Sequence, residues 1–174
     1  MVPTSYQAPL RRDASPQATS SQSLQTNLSS ETATVRMLIA GKGRDVYAVR
    51  PQDTISNAVR QLRDKRIGAL VVTDANGSLQ GILSERDIVR QLAETPGQTL
   101  PRNVSDIMTR EVVTCAMDDA LVTVLKRMTE GKFRHMPVTE DGALSGMLTI
   151  GDVVNYRLNE LEHEALQLKQ LIVG

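Results

Sequence analysis

The sequence predicts an α/β (α+β) fold of two βαββα units packed as a pseudo-two-fold pair, with a helix at the C-terminal end. Three observations lead there. The chain repeats itself, each copy alternates strand-like and helix-like apolar spacing in the same order, and each copy holds one tight hairpin turn. Residues 46–74 align with residues 112–140 without a gap. Val46 meets Val112, Asp53 meets Asp119, Val72 meets Val138 and Thr73 meets Thr139. One residue is then lost where Asp74-Ala75-Asn76-Gly77 faces Glu140-Asp141-Gly142. Beyond it Gly77 meets Gly142, Leu79 meets Leu144, Gly81 meets Gly146, Leu83 meets Leu148, Asp87 meets Asp152 and Val89 meets Val154. The gap falls in a turn, where length changes cost least.

Each element follows from its own pattern. Strands are expected at residues 46–49 and 112–115, where short apolar runs open each copy. An amphipathic helix follows, with Ile55, Ala58, Val59 and Leu62 on one face, matched by Leu121, Val124, Leu125 and Met128. Residues 69–73 and 79–83 then flank an Asn-Gly turn, and residues 136–139 and 144–148 flank an Asp-Gly turn, the strongest short-range hairpin signals. A second helix starts near Ser84 and near Thr149. The domain reading is a disordered leader at 1–34, a first unit at 35–94, a linker at 95–103 carrying Pro96, Gly97 and Pro101, a second unit at 104–156 and a terminal amphipathic helix at 157–174. Ser, Thr and Gln supply 16 of the first 34 residues, too little apolar surface to offset ordering entropy. Arg11 and Arg12 in this acid-poor leader give import into an organelle as the alternative to a cytoplasmic location.

Composition excludes several functions. Lys+Arg and Asp+Glu both number 20, so bulk charge does not attract nucleic acid. Three Tyr, one Phe and no Trp are too few rings for a base-stacking platform. One cysteine rules out an internal disulfide framework, and two histidines without acidic partners at ligand spacing leave no metal site to expect. No apolar run approaches the ~20 residues of a membrane span. Cys115, aligned with Val49 in a strand, is expected to be a buried structural thiol. No nucleophile–base pair is visible, so an enzyme is not expected.

A unit of about 60 residues buries too little surface to stand alone, so the two copies should share a core and leave two equivalent clefts where they meet. The start of each second helix is the sharpest local signal. Gly81-Ile82-Leu83-Ser84-Glu85-Arg86-Asp87 corresponds to Gly146-Met147-Leu148-Thr149-Ile150-Gly151-Asp152. Ser/Thr-x-x-Asp is close to a capping box, which needs no ligand. Equally, a carboxylate beside a helix N-terminus could accept both hydroxyls of a ribose while the N-terminus holds phosphate. Lys132-Phe133-Arg134-His135-Met136-Pro137-Val138 places basic groups just before a buried strand, with Pro137 expected to open it.

On these residues the chain resembles a tandem pair of cystathionine-β-synthase (CBS) domains of the small stand-alone kind, over residues 35–156. The resemblance rests on Gly68-Ala69-Leu70-Val71-Val72, on Arg134-His135-Met136-Pro137-Val138 and on the two helix-start motifs. It implies clefts that bind adenosine-containing ligands, with AMP first, then NAD(H), ATP or ADP. At one cleft Asp152 would hold ribose, Thr149 ribose or phosphate, and Met147 adenine. Arg134 and His135 would meet phosphate there, and Tyr47, Ile67 and Gly68 would reach the base from the other copy. At the other cleft Asp87 and Ser84 would take the same roles beside Ile82. Val113, Phe133 and Arg134 would come across from the second copy, and Arg86 is a further phosphate candidate. Gly151 replaces Arg86 in the second motif, so the clefts should differ in charge.

The tail carries Val154, Leu158, Leu161, Ala165, Leu168 and Ile172 at spacings of 4, 3, 4, 3 and 4, the a/d seam of a coiled coil. It can dock on its own body, form a homodimer contact or meet a protein effector. The expected function is a non-catalytic signal-transduction module that binds an adenine nucleotide and alters a partner or its own assembly. The alternative is an oligomerisation scaffold with vestigial clefts.

Overall fold

The computed structural model describes residues 33–173, so all but the last two positions of the expected leader lie outside the described residues. The first unit contains β1 (Ala48–Val49), α2 (Ile55–Lys65), β2 (Ala69–Thr73), β3 (Leu79–Ser84) and α3 (Glu85–Glu94). The second contains β4 (Cys115–Ala116), α4 (Leu121–Gly131), β5 (His135–Glu140), β6 (Ala143–Thr149) and α5 (Ile150–Val173). A helix not read from the sequence, α1 (Val35–Lys42), precedes the first unit, and a short 3-10 turn (Val104–Asp106) precedes the second.

Each unit forms a three-stranded sheet, β1-β2-β3 and β4-β5-β6, with a parallel first pair and an antiparallel hairpin. The registers repeat: Val72 faces Gly81 as Val138 faces Gly146, and both hairpins shift register just beyond that point. β2 is buried along its whole length, as the central strand between a helical layer and the other unit must be.

The opening strands are two residues long rather than four. Pro137 sets where the second of them starts. It is the third residue of β5, not its first, and it faces Met147. Its counterpart Val71 donates its N–H to the Tyr47 carbonyl at 3.1 Å. Proline has no N–H to give, so pairing between β4 and β5 begins one step later, at Cys115 with Val138, where β1 and β2 begin at Ala48 with Val71.

The cores are built by exchange. Val35, Leu38 and Ile39 of α1 lie in the core of the second unit with Leu121, Val124, Met128, Met136, Val138 and Leu148. Val104 and Met108, which precede the second unit, lie in the core of the first with Ile55, Leu62, Leu70, Val72 and Leu83. The backbone bonds are mirrored. Val35 N–H donates to the Asp119 carbonyl as Val104 N–H donates to Asp53, and Leu121 N–H donates to Ala33 as Ile55 N–H donates to Arg102. Glycines make room for these lead-in segments. A Cβ on Gly81 would lie 2.8 Å from Met108 Sδ and 2.9 Å from the Thr109 carbonyl, and one on Gly146 would lie 3.0 Å from Ile39 Cδ1.

Only the first turns of α5 dock on the body, through buried Val153 and half-buried Tyr156. From Leu161 to Ile172 every residue is exposed. Among the described residues no helix is long and apolar enough to cross a membrane. Because Leu38 is core to a unit it does not belong to in sequence, Leu38→Ala should lower unfolding free energy by about 2–5 kcal/mol in urea titration. A loss under about 0.5 kcal/mol, the range of surface changes, would show that α1 is not core.

Candidate functional site

The helix-start motifs fold as caps. Ser84 Oγ accepts from Asp87 N–H at 3.3 Å, while Asp87 Oδ2 accepts from Ser84 N–H at 2.9 Å and from Ser84 Oγ at 2.6 Å. That is a complete capping box at the start of α3. In the second unit Asp152 Oδ2 accepts from Thr149 N–H at 2.8 Å, and Thr149 Oγ1 accepts from Asp152 N–H at 3.1 Å. Each helix start is tied to the strand before it in the same way, Glu85 N–H donating to Gly68 and Ile150 N–H to Arg134. The bland reading of the motif is therefore realised twice. In the first copy, the hydrogen bonds among the described residues engage Asp87 Oδ2 and leave Oδ1 available.

Beside Asp87 lies a cavity of about 530 Å³ between the two units. Ile82, Ser84, Arg86 and Asp87 line it from the first unit, and Val113, Phe133 and Arg134 from the second. All seven residues expected at this cleft are thus together. Gly68 and His135, expected at the other cleft, also line this one. His135 stands between the two, since its surroundings include Glu85 on one side and Lys42 and Asp152 on the other. Burial, the largest influence, pushes the His135 imidazole below its usual value, so it is neutral at pH 7 and not a standing cation. Arg86 does not point free into solvent. Its guanidinium bonds the carbonyl of Lys132, which ends α4 in a left-handed conformation at φ 54°, and so ties the two units at the cavity rim.

The second cleft is different. Lys42, the last residue of α1, donates to the Met147 carbonyl at 2.8 Å and pairs with the Asp152 carboxylate. Burial works to raise the Asp152 pKa and is the largest single influence, but the Lys42 ammonium and the Thr149 donors together hold it below the ordinary carboxylate value. Lys42 and Glu111 come at matching distances after Val35 and Val104, and Glu111 lines the Asp87 cavity. A lysine can close on an aspartate; a glutamate cannot. This charge reversal accounts for one acid being paired and the other facing a cavity.

The remaining expected residues do not line the cavity at Asp87. Tyr47 carries the Lys65 ammonium 5.1 Å from its ring centroid, and Ile67 packs against the core of the first unit. Sequence reasoning missed Lys42, Arg90, Thr109 and Glu111, and took Lys132 only as part of the basic run before β5. Arg90 had a signal, because it sits one helical turn beyond Arg86 on the same face of α3. Cys115 is buried and its thiol is pushed up to about 12, mainly by burial, so it is inert at neutral pH.

The family described as CBS domain matches residues 43–94 and 104–159. The chain belongs to the CBS-domain family. This CBS pair is 30% identical over 152 residues to the mitochondrial CBS domain-containing protein CBSX3 of Arabidopsis thaliana, covering 83% of this chain and 74% of that one. It is 34% identical to the Arabidopsis protein CBSCBSPB3 but spans only 20% of that protein's length. Among solved structures, a CBS-domain containing protein of Agrobacterium tumefaciens shares 43% identity at a TM-score of 0.71, over 72% of this chain and 99% of that one. The CBS domain pair of protein MJ0100, solved with 5′-methylthioadenosine and S-adenosyl-L-methionine, shares 24% identity at a TM-score of 0.65, over 74% of this chain and 98% of that one. At that identity the likeness is one of fold.

The Lys42–Asp152 pair has a pH signature. A carboxylate whose folded pKa is depressed adds stability that is complete above its unfolded value, about 3.9, and is lost as pH falls through the folded value. Lys42→Met should therefore be less stable than the parent chain at neutral pH. The difference should shrink on acidification below about pH 4, followed as urea midpoints across a pH series. A difference that stays constant to low pH would remove the pair from the account.

Proposed function

We propose that this CBS pair is a non-catalytic regulatory module that binds one adenine nucleotide per chain in the cavity at Asp87. The observation that carries the reading is that cavity, of about 530 Å³, set at the junction of the two units. Its size falls in the range of small-molecule sites. Its donors suit the ligand class. Asp87 can accept from ribose hydroxyls through the oxygen its cap does not use. Ile82, Val113 and Phe133 offer an apolar surface to the base. Arg86, Arg90, Lys132 and Arg134 bring positive charge for phosphate, set against Glu85 and Glu111. A pair of the same fold, MJ0100, was solved with two adenosine-containing molecules. AMP is the first candidate because the cavity also holds two carboxylates that oppose extra phosphate charge; NAD(H), ADP and ATP follow.

Regulation would come from the location. A ligand that touches both units prefers one packing of them, and it shifts the protein only by that preference. The output passes to a protein effector or to assembly, in the cytoplasm or in an organelle. The scaffold reading, with vestigial clefts, is favoured by one observation, the pairing of the Asp152 carboxylate with Lys42.

Calorimetry with AMP, NAD(H), ADP and ATP should give one equivalent per chain. Asp87→Ala should weaken that binding at least about tenfold, or 1.4 kcal/mol, while circular dichroism is unchanged. Binding of none of the four by the parent chain would favour the scaffold. Lys42→Ala should free Asp152 and raise the stoichiometry to two; a stoichiometry of two in the parent chain would mean Lys42 does not hold the cleft. Phosphate beside His135 would raise its depressed pKa, so binding should take up a proton and tighten as pH falls towards the ordinary imidazole value, about 6.5. Titrations in buffers of different ionisation enthalpy would detect this, and His135→Gln should abolish it.

A further inference from the structure

The geometry points to self-association of this chain through α5, as a parallel two-stranded coiled coil with a second copy. Beyond Glu160 the helix leaves its own body and projects roughly 18 Å, twelve residues at about 1.5 Å each. An isolated helix of this length is marginal in water. Its apolar side chains are nevertheless open: Leu161 is 51% exposed, Leu168 52% and Ile172 82%. With Leu158 and Ala165 they make the alternating four-and-three seam, Leu161 and Leu168 at d and Leu158, Ala165 and Ile172 at a, of which Leu at d and the β-branched Ile172 at a suit two strands.

Charge selects the occupant and its direction. In this register Arg157 and Glu164 take g positions, and Glu162 and Lys169 take e positions. A parallel pair sets each g residue against the e residue five places on in the other strand. Arg157 then meets the partner's Glu162, and Glu164 meets the partner's Lys169. Both contacts are of opposite sign, and the two-fold axis makes each of them twice. An antiparallel pair overlapping residues 161–172 would keep only the Glu162–Lys169 contact and set Glu164 against the partner's Leu171, and one overlapping 154–172 would set Glu164 against the partner's Glu164 and Glu162 against the partner's Glu162, so the parallel pair has the more opposite-sign contacts. In the single chain Arg157 contacts Glu160 of its own helix at 2.6 Å, a partner on the outer face that it would exchange for Glu162 of the second copy. Leu166 lies away from the seam and serves as an internal control.

The test uses the full chain in analytical ultracentrifugation and light scattering at micromolar to tens of micromolar concentrations. A dimer is expected. Leu161→Asp should weaken it about tenfold or more, whereas Leu166→Asp should not. Glu164→Lys should weaken it roughly threefold or more, and adding Lys169→Glu to it should restore the dimer. Direction is read from Leu161→Cys, because a d residue meets its own copy only in a parallel pair and the native Cys115 is buried and inert. Oxidation should link the two chains of this variant. A monomer throughout the range, or a dimer indifferent to Leu161→Asp, would overturn the proposal. A dimer that Leu161→Cys fails to cross-link would overturn its direction, and capture of a different protein by α5 in place of the second copy would overturn its occupant.

Discussion

Each unit of this protein is too small to complete its own core, and the segment that completes it comes from the other half of the chain. Val35, Leu38 and Ile39 fill the second unit, and Val104 and Met108 fill the first. Everything between the units depends on this exchange. The lead-ins are bonded edge to edge with the loops before α2 and α4, so neither unit can shift without breaking buried backbone bonds. The clefts inherit their walls from it. Thr109, paired with Ile82, and Glu111 belong to the lead-in that closes the first unit, and Lys42 belongs to the one that closes the second.

The two clefts show how a near-symmetric fold can hold unequal sites. The caps at Asp87 and Asp152 are built alike, with the same donors at nearly the same distances. What differs is the charge that the adjoining lead-in delivers. A cation on α1 neutralises one acid, while an anion on the other lead-in adds to the field around the second. The electrostatic character of each cleft is therefore set by a residue outside the motif that marks it together with the Arg86–Gly151 difference within it.

Much of the fold was legible in the sequence because its signals are local. The Asn-Gly and Asp-Gly turns fixed both hairpins, and the spacing of Ile55, Ala58 and Leu62 fixed α2 together with its buried face. The residues around Asp87 could be gathered because the family resemblance supplied the crossing between copies. What escaped was long-range. α1 has only two turns beside a polar leader, and its amphipathic face becomes meaningful only against the second unit. Lys42 meets Asp152 across 110 positions of sequence, with no periodicity to announce it. Pro137 was read as the opening of a strand, yet it sits within one, and the ladder beside it starts one residue later than in the first unit.

The glycine that opens each helix-start motif has a further consequence. Gly81 has no side chain because the neighbouring lead-in passes where a methyl group would be, and Gly146 is crowded in the same sense by Ile39. The apolar residue before each Ser or Thr is core, and the acid three places on caps a helix. Architecture alone is thus enough to maintain the whole signature in a lineage that has stopped using a cleft. Counting such signatures in a genome therefore counts folded halves rather than occupied clefts.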